Sequence, residues 1–148
     1  MQAAVLIPAY NAGAGIQEVV KGCLPYSRRV LVVDDGSRDG TGPWAWEAGA
    51  EVAHHPRNRG KGAALRTGFE LLLKEGNWDA ILTLDADGQH DPSDIPRFLK
   101  AAEEEGAGIV IGSRLLHMKG MRRIRRLFNR LSTRCICGLC GQEIEDTQ

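Results

Sequence analysis

The amino-acid sequence predicts an α/β fold with a mostly parallel sheet and helices on both of its faces. Short runs of apolar, β-branched residues alternate with segments whose apolar residues recur at helical spacing. Parallel strands need long crossover connections, which are usually helices. Polar clusters follow four of the predicted strands, at the ends where ligands of such sheets bind. We therefore expect these clusters to form one ligand-binding rim.

Length and composition agree with a single globular domain over residues 1–148. Of the 148 residues, 43% are hydrophobic and 26% are charged, which excludes a disordered polymer or a collagen. The longest apolar run, residues 3–7, is far shorter than the roughly 20 residues of a membrane span. The N-terminus also lacks the basic and apolar regions of a secretory signal. We therefore expect a cytoplasmic protein.

In the first half of the chain, three strands alternate with three helices. We expect Pro8 to end the first strand, Pro25 to stop the first helix and Thr41 to cap the second. The predicted elements are strand 3–7, helix 15–24, strand 29–33, helix 41–48, strand 51–54 and helix 62–74. The last of these is amphipathic, with an apolar face made of Leu65, Phe69, Leu72 and Leu73.

The second half continues the alternation. We predict a strand over 78–84, a helix over 93–105 that is capped by Ser93 or Asp94, and a strand over 108–111. Neither an internal repeat nor a linker divides these elements.

The motif with the most chemical information is Leu-Asp-Ala-Asp-Gly-Gln at residues 84–89, after a predicted buried strand. Asp85 and Asp87 project to the same side of an extended chain, with Cα atoms about 6.6 Å apart. Such carboxylates repel each other unless a cation lies between them. Mg²⁺ or Mn²⁺ accepts carboxylate and amide oxygens and keeps positions for phosphates, so we predict a metal site of Asp85, Asp87 and Gln89. A turn rich in Asp and Gly is the alternative.

A second acidic cluster, Asp-Asp-Gly-Ser at residues 34–37, follows another predicted strand. A carboxylate at this place can accept hydrogen bonds from a ribose or a base edge. A type I turn, begun by Asp and closed by Gly, explains the same residues. The sequence leaves both interpretations open.

Residues 57–62 form a basic loop that contains glycine and precedes a helix. The N–H groups at a helix N-terminus bind anions, and Lys61 adds a full charge. A solvated helix cap is the alternative. We do not expect His54, His55 or His90 to bind a metal, because adjacent histidines of a strand point to opposite faces and His90 is better placed to hold its turn.

Charge is distributed unevenly along the chain. Eight of the 19 basic residues lie between Arg114 and Arg134, which contains no acidic residue, so the rest of the chain has 11 basic and 19 acidic residues. Residues 121–134 also place apolar side chains on one helical face: Ile124, Leu127, Phe128 and Leu131. Such a helix suits an anionic membrane surface or a phosphate headgroup, and an ordinary surface helix is the alternative.

The four cysteines do not form a complete metal site. Cys23 lies in an apolar helical pattern, whereas Cys135, Cys137 and Cys140 cluster near the end of the chain. A structural zinc site needs four ligands, and no fourth ligand follows this cluster. We expect free thiols rather than zinc ligands or disulfides.

Taken together, six stretches in this order resemble the family 2 glycosyltransferases of GT-A fold, especially the polyprenyl- and dolichyl-phosphate sugar synthases. They are residues 5–11 (VLIPAYN), 32–41 (VVDDGSRDGT), 58–64 (NRGKGAA), 84–90 (LDADGQH), 112–114 (GSR) and 146–148 (DTQ). The resemblance covers essentially the whole chain. It implies a Rossmann-like GT-A fold and an inverting transfer of sugar from a nucleotide-diphosphate sugar to a polyprenyl phosphate, such as dolichyl or undecaprenyl phosphate.

The resemblance also implies roles for individual residues. The nucleotide-sugar-binding residues are Pro8, Tyr10, Asn11, Val33, Asp35, Lys61, Asp85, Ala86 and Asp87. The metal ligands for Mg²⁺ or Mn²⁺ are Asp85, Asp87 and Gln89. The residues that receive the acceptor phosphate are Arg114, Arg125 and Arg126. The catalytic residues are Asp85, Asp87 and Arg114, and no general base is needed because the acceptor phosphate already carries its nucleophilic oxygen.

Relatives of this kind continue beyond the last stretch, so we expect a C-terminally truncated chain. Its nucleotide-sugar-binding part is predicted over 1–113 and its basic acceptor-side segment over 114–148. We expect a cytoplasmic protein that lies on the inner face of the membrane and serves cell-envelope biogenesis. A hydroxyl acceptor on a polysaccharide or protein glycan, or an inactive nucleotide-binding fragment, is the alternative. A nucleic-acid partner is not expected, because Phe128 alone could stack on bases in the basic helix.

Overall fold

The computed structural model describes residues 1–76, 78–106 and 108–112. The chain divides into the units Met1–Gly108 and Ile109–Gln148, and the regular elements described here belong to the first. The basic segment over 114–148 lies outside the described residues, together with the cysteine cluster and the predicted acceptor residues Arg114, Arg125 and Arg126. The single-domain organisation and the boundary after residue 113 therefore stay predictions.

The described residues form four strands and four α-helices, which alternate as predicted. In chain order they are β1 (Ala3–Ala9), α1 (Ile16–Cys23), β2 (Arg29–Asp34), α2 (Thr41–Glu47), β3 (Glu51–His54), α3 (Lys61–Glu75), β4 (Ala80–Thr83) and α4 (Ile95–Glu105). Short 3-10 helices at Gly13–Gly15 and Pro92–Asp94 precede α1 and α4.

The strands form one parallel sheet in the order β3-β2-β1-β4. The chain builds the sheet outward from β1 through β2 to β3 and then crosses back to place β4 on the other side of β1. The strand order therefore reverses at β1. In open α/β sheets a ligand crevice lies at this reversal, outside the carboxyl ends of the strands.

The core lies on both faces of the sheet, because alternate residues of a strand point to opposite sides. On one face Val5 and Ile7 pack with buried residues of α1, α2 and α4. On the other face Ala4 and Leu6 pack with α3. Burying a Val, Leu or Ile side chain contributes about 1.5–3 kcal/mol, so the two clusters hold the helices onto the sheet. The predicted parallel sheet with helices on both faces is confirmed.

The predicted apolar face of α3 is only partly right. Leu72 is buried, but Phe69 and Leu73 are 36% and 67% exposed, and the small residue Gly68 faces the sheet instead. A Cβ atom at Gly68 would lie 2.1 Å from the Leu6 Cδ1 atom. The helix therefore packs too close to β1 for a larger side chain, and the positions of the large apolar residues do not mark its buried face.

The prediction that Pro8 ends β1 is wrong, because the strand continues to Ala9. Proline cannot donate a ladder hydrogen bond and is tolerated where none is needed. The Leu84 N–H donates to the Leu6 carbonyl at 3.1 Å, so Leu6 and, by alternation, Pro8 face β4. Since β4 ends at Thr83, Pro8 lies where the pairing with β4 has run out.

The predicted strand over 108–111 is also wrong, because residues 108–112 have no regular secondary structure. An apolar, β-branched segment forms a strand only where a neighbour offers backbone hydrogen bonds. Within the described residues, β4 pairs with β1 alone. The strand predicted over 78–84 is present but shorter, at Ala80–Thr83.

The side-chain cap predicted for α4 is absent, whereas the free thiol predicted at Cys23 is present. Neither predicted residue caps the start of α4 through its side chain: Asp91 accepts the Ser93 N–H at 2.9 Å, and the 3-10 turn then leads into the helix. The buried free thiol predicted at Cys23 is confirmed, and its burial raises the pKa of the thiol to about 11. Among the helices of the described residues, none is long and apolar enough to cross a bilayer.

Candidate functional site

Four chain segments meet the carboxyl-end rim of the sheet, one after each strand. They are residues 10–13 after β1, residues 35–40 after β2, residues 55–60 after β3 and residues 84–90 after β4. Because the strands are parallel and paired in register, their ends lie at the same edge. The structure confirms a shared rim for the predicted clusters over 8–11, 34–35 and 85–89. Residues 113–114 of the fourth predicted cluster lie outside the described residues, and the loop over 55–60 takes its place at the rim.

The segment after β1 is held by hydrogen bonds with the segment after β2. Asn11 has a φ of 49°, in the left-handed region that Asn tolerates better than most residues. Its N–H donates to the Ser37 hydroxyl at 2.9 Å, and its side-chain oxygen accepts the Arg38 N–H at 3.0 Å. This conformation leaves Tyr10 49% exposed at the rim.

A second set of bonds fixes the start of the α1 region. The Asp39 carboxylate accepts the Gly13 N–H at 2.8 Å and the Thr41 hydroxyl at 2.6 Å. The Thr41 hydroxyl in turn accepts the Ala12 N–H at 2.9 Å. The hydrogen bond from Thr41 outweighs burial and holds the pKa of Asp39 below its ordinary value.

Asp34 has the structural role that the turn interpretation predicts. Its carboxylate accepts the Ser37 N–H at 2.9 Å and lies 3.1 Å from the Nδ1 atom of His54. The side chain is 4% exposed, so a ligand at the rim has little access to it.

Asp35 is also buried, and its carboxylate binds the loop that follows β3. The Arg59 N–H donates to both carboxylate oxygens at 3.0 Å, and the Gly60 N–H donates to Oδ2 at 2.7 Å. The Nδ1 atom of His55 lies 2.6 Å from Oδ1. Burial opposes ionisation, but the hydrogen bonds from His55, Arg59 and Gly60 outweigh it and hold the pKa of Asp35 below its ordinary value.

His55 and Thr67 are functional candidates that the sequence analysis did not select. The His55 side chain is 5% exposed, and its Nε2 atom lies 3.0 Å from the Thr67 hydroxyl oxygen. The register places Asp34 beside His54, and the next pair along is Asp35 with His55. Only the register of β2 against β3 reveals this contact, and the sequence does not state that register.

Lys61, the first residue of α3, connects the loop to the segment after β4. Its ammonium lies 2.6 Å from Oδ1 of Asp85, and the two side chains are 60% and 36% exposed. Since Arg59 and Gly60 bind Asp35, three consecutive residues join the two acidic clusters. Asp35 and Asp85 thus belong to one continuous arrangement at the rim.

The turn after β4 leaves its acidic residues accessible. Asp87 is exposed, and its Oδ1 atom accepts the Gln89 N–H at 2.9 Å. The Asp85 N–H donates to Nδ1 of His90 at 3.1 Å, which confirms that His90 holds the turn. The backbone of the turn is therefore fixed while carboxylate oxygens face solvent.

The chemistry of this turn fits a hard divalent cation. Asp85, Asp87 and Gln89 offer carboxylate and amide oxygens, the donors that Mg²⁺ and Mn²⁺ take together with substrate phosphates. In the described part of the chain, no group of three or more His, Cys, Asp and Glu side chains is arranged to hold a metal ion by itself. A cation here would need oxygens from a bound ligand to complete its coordination.

The predicted binding residues therefore separate into two layers. Tyr10, Asn11, Lys61 and Asp87 are exposed, and Asp85 and Ala86 are half-buried. Pro8, Val33 and Asp35 are buried beneath them, with Val33 fully covered in the core cluster under α3. Because a fully covered side chain cannot touch a ligand, Val33 acts as support for the rim.

A separate open cleft lies against α3. Its volume is about 440 Å³, and it is lined by Arg59, Gly62, Ala63, Arg66, Thr67 and Glu70. Thr67 thus connects this cleft to the buried His55.

Comparison with known proteins gives a consistent family. The family model described as Glycosyl transferase family 2 matches residues 4–142. Undecaprenyl-phosphate mannosyltransferase of Micrococcus luteus is 39% identical over 122 residues, which cover 77% of this chain and 49% of that protein. Polyprenol monophosphomannose synthase of Mycolicibacterium smegmatis is 38% identical over 119 residues, which cover 74% of this chain and 44% of that protein. The chain spans about half the length of the curated relatives it matches.

A solved structure shares the fold. Glucosyl-3-phosphoglycerate synthase from Mycobacterium tuberculosis, in complex with Mn²⁺, uridine-diphosphate-glucose and phosphoglyceric acid, superimposes with a TM-score of 0.58 at 28% sequence identity. The match covers 73% of this chain and 41% of that one. The predicted GT-A fold is confirmed.

Proposed function

We propose that this chain, which belongs to glycosyl transferase family 2, moves a sugar from a nucleotide-diphosphate sugar to a polyprenyl phosphate. The observation that carries this proposal is the solvent-facing pair Asp85 and Asp87 beside the reversal of strand order, with the Lys61 ammonium 2.6 Å from Asp85. A diphosphate needs positive charge around it. Lys61 supplies that charge directly, and the carboxylates supply it through a bound cation.

The names of two relatives support the choice of acceptor. One is an undecaprenyl-phosphate mannosyltransferase, and the other is a polyprenol monophosphomannose synthase. Both names describe a polyprenyl chain that carries a phosphate. We extend that class of acceptor to this chain and leave the identity of the sugar to experiment.

In the proposed donor complex, the nucleoside lies at the carboxyl ends of β1 and β2. Tyr10 and Asn11 face solvent there, and hydrogen bonds to the Ser37 hydroxyl and from the Arg38 N–H hold Asn11 in place. Pro8, Val33 and Asp35 form the layer beneath. The diphosphate then lies toward β4, close to Lys61, Asp85, Ala86 and Asp87.

Asp85, Asp87 and Gln89 would hold Mg²⁺ or Mn²⁺ in the donor complex. A bound cation neutralises negative charge that develops on a departing diphosphate. The solved structure of similar fold contains Mn²⁺ together with uridine-diphosphate-glucose, which supports a divalent cation here.

The reaction that this arrangement serves is a single displacement. A phosphate oxygen of the acceptor forms a bond to the anomeric carbon while the bond from that carbon to the diphosphate breaks, which inverts the configuration. The acceptor oxygen is already ionised, so no proton has to be removed. We assign the acceptor phosphate to Arg114, Arg125 and Arg126, and the site of action to the cytoplasmic surface of a membrane, because the acceptor is a lipid.

Donor binding is tested by thermal unfolding in the presence of UDP-, GDP- and other nucleotide sugars, with Mg²⁺, Mn²⁺ or a chelator. A ligand that binds the folded state alone stabilises it by about 2.7 kcal/mol at one hundred times its Kd. We expect at least one nucleotide sugar to raise the Tm when a divalent cation is present and not in the chelator. Equal Tm values in all conditions would contradict a donor site.

The acceptor class is tested with a labelled donor and two lipids that differ in one group, a polyprenyl phosphate and the corresponding polyprenol. We expect label to enter the phosphate lipid only. Transfer to the polyprenol or to a soluble hydroxyl acceptor would favour the alternative chemistry, which needs a general base.

A further inference from the structure

A chain of hydrogen-bonding groups runs from the buried Asp35 through the buried His55 to the half-buried Thr67. His55 Nδ1 lies 2.6 Å from the Asp35 carboxylate, and His55 Nε2 lies 3.0 Å from the Thr67 hydroxyl oxygen. The side chains of His55 and Asp35 are 5% and 3% exposed. The chain therefore joins the end of β2, the end of β3 and the middle of α3.

The position of the proton follows from the donors and acceptors present. An ionised carboxylate can only accept, so Nδ1 of His55 carries the hydrogen of the bond to Asp35. In a neutral imidazole Nε2 is then an acceptor, and the Thr67 hydroxyl can donate to it. Both ring nitrogens are satisfied, so the ring is held at both ends.

The carboxylate that His55 contacts is the anchor of the loop after β3. Asp35 accepts the N–H groups of Arg59 and Gly60 at 2.7–3.0 Å. The same loop lies against Gly36, where a Cβ atom would be 2.6 Å from the Arg57 carbonyl carbon. A loop held by two N–H groups and by a close backbone contact has little freedom to move.

This anchoring ends one residue before Lys61. Its side chain is 60% exposed, and its ammonium forms a 2.6 Å ion pair with Asp85. Exposed lysine side chains have considerable rotamer freedom, and exposed ion pairs are weak. The place of the Lys61 ammonium therefore depends on how firmly the backbone before it is held.

We propose that His55 is a positioning residue for Lys61. By holding the Asp35 carboxylate toward Arg59 and Gly60, it keeps the start of α3 where the Lys61 ammonium reaches Asp85. The inference rests on the proposed function in one respect, that Lys61 lies where a donor diphosphate binds. His55 itself touches neither the ammonium nor the proposed ligand. A side chain that is already held in its binding position loses little conformational entropy when the ligand binds, which favours tighter binding.

Two substitutions of His55 separate this role from a purely structural one. The amide nitrogen of Asn occupies the place of Nδ1, so His55→Asn retains a donor to Asp35 and loses the contact with Thr67. The amide of Gln reaches the place of Nε2, so His55→Gln retains the contact with Thr67 and loses the donor to Asp35. Both variants remove the ring, which makes them a matched pair for stability. His54→Gln is the control, because that neighbouring histidine is exposed and lies against Asp34.

The first readout is independent of any donor. Lysine amines are acetylated with a limiting reagent and the modification at each site is quantified by mass spectrometry, with exposed Lys21 as the internal reference. We expect His55→Gln to raise the relative labelling of Lys61 by about 1.4- to fivefold, the range for loss of an exposed ion pair. Asp85→Asn sets the upper limit. His55→Asn and His54→Gln are expected to match the wild type, and equal labelling in all His55 variants would overturn the proposal.

The second readout is calorimetric titration with UDP-glucose and GDP-mannose in the presence of Mn²⁺. For a probe that binds the wild type, we expect His55→Gln to weaken binding by about tenfold, the lower end of the loss seen when a residue that holds a metal ligand in place is removed. His55→Asn is expected to stay close to the wild type. Equal weakening in both variants would reduce His55 to a structural residue and overturn the proposal. Absence of binding in the wild type, with the labelling result as expected, contradicts the proposed function and leaves the positioning of Lys61 supported.

Discussion

The two acidic clusters of the rim look alike in sequence and differ in their surroundings. Asp34 and Asp35, at the end of β2, are 3% and 2% exposed, and protein groups already occupy their oxygens. After β4, Asp85 is half-buried and Asp87 is exposed. The partner of Asp85 is the flexible, exposed side chain of Lys61. The burial of a carboxylate at a strand end, rather than its position in a motif, therefore decides whether it holds the protein together or stays accessible to a ligand.

The difference has a simple cause in the topology. β2 lies between β1 and β3, and the loop that follows β3 folds over the end of β2 and covers Asp35. In the described part of the chain, β4 pairs with β1 alone, and no described loop covers the turn after it in this way. A Cβ atom at Gly88 would meet nothing within 4 Å, whereas one at Gly36 would meet the backbone of Arg57.

The largest expected effect on stability distinguishes the buried cluster from the exposed one. Asp35→Ala leaves the N–H groups of Arg59 and Gly60 and the ring of His55 without their acceptor, and we expect it to lower the free energy of unfolding by about 3–5 kcal/mol. Asp85→Ala removes an exposed ion pair, and we expect a loss of about 0–1 kcal/mol. Urea denaturation of both variants measures the two values. Similar losses would contradict the division into a structural and a binding cluster.

A second comparison concerns the glycines of the two turns. Gly36 and Gly88 have φ angles of +77° and +71°, so alanine is strained at both positions, by about 1 kcal/mol. At Gly36 the new Cβ would also lie 2.6 Å from the Arg57 carbonyl carbon, which adds an overpacking cost of about 1–3 kcal/mol. We therefore expect Gly36→Ala to shift the denaturation midpoint clearly further than Gly88→Ala. Equal shifts would show that the loop is not held against Gly36.

The pH dependence of stability tests the buried cluster in another way. The folded-state pKa of Asp35 lies below its ordinary value of 3.8. Its contribution to stability is therefore complete above that value and is lost as the pH falls from about 4 through the lower folded pKa. The pKa values of Asp39 and Asp91 are lowered as well. Both residues are present in the wild type and in Asp35→Asn, so a difference between the two proteins reports on Asp35. Between neutral pH and about pH 2, we expect Asp35→Asn to lose less stability than the wild type. Urea denaturation at each pH measures the free energy of unfolding of both proteins. Parallel pH dependences would contradict an ionised Asp35 in the folded state.

Much of the fold could be predicted from the sequence because local patterns and chain order carry it. Apolar β-branched runs identify the strands, and their alternation with helices indicates a parallel sheet with its polar ends at one rim. The helix face at Gly68 could not be predicted, because the close approach of α3 to Leu6 depends on the packed geometry of two elements distant in sequence. The strand expected over 108–111 fails for a related reason, since a strand needs a partner that the local sequence does not supply.

As with the fold, the parts of the site that lie in consecutive residues could be predicted from the sequence. The motif around Asp85 and Asp87 lies in consecutive residues and could be read directly, whereas the contact of Asp35 with His55 depends on strand register. Sequence alone also does not reveal that Asp35 is buried and Asp87 exposed. Only the hydrogen bonds around each carboxylate separate the one that holds the loop from the one that faces solvent.

The most direct test of the central claim is calorimetric titration of Asp87→Asn with UDP-glucose and GDP-mannose in the presence of Mg²⁺ or Mn²⁺. The substitution is isosteric and keeps an oxygen for the Gln89 N–H, so we expect the free energy of unfolding to change by less than about 0.5 kcal/mol. The account predicts that the wild type binds a nucleotide sugar only with the divalent cation and that the variant loses this metal-dependent binding. Binding in Asp87→Asn as tight as in the wild type would contradict it.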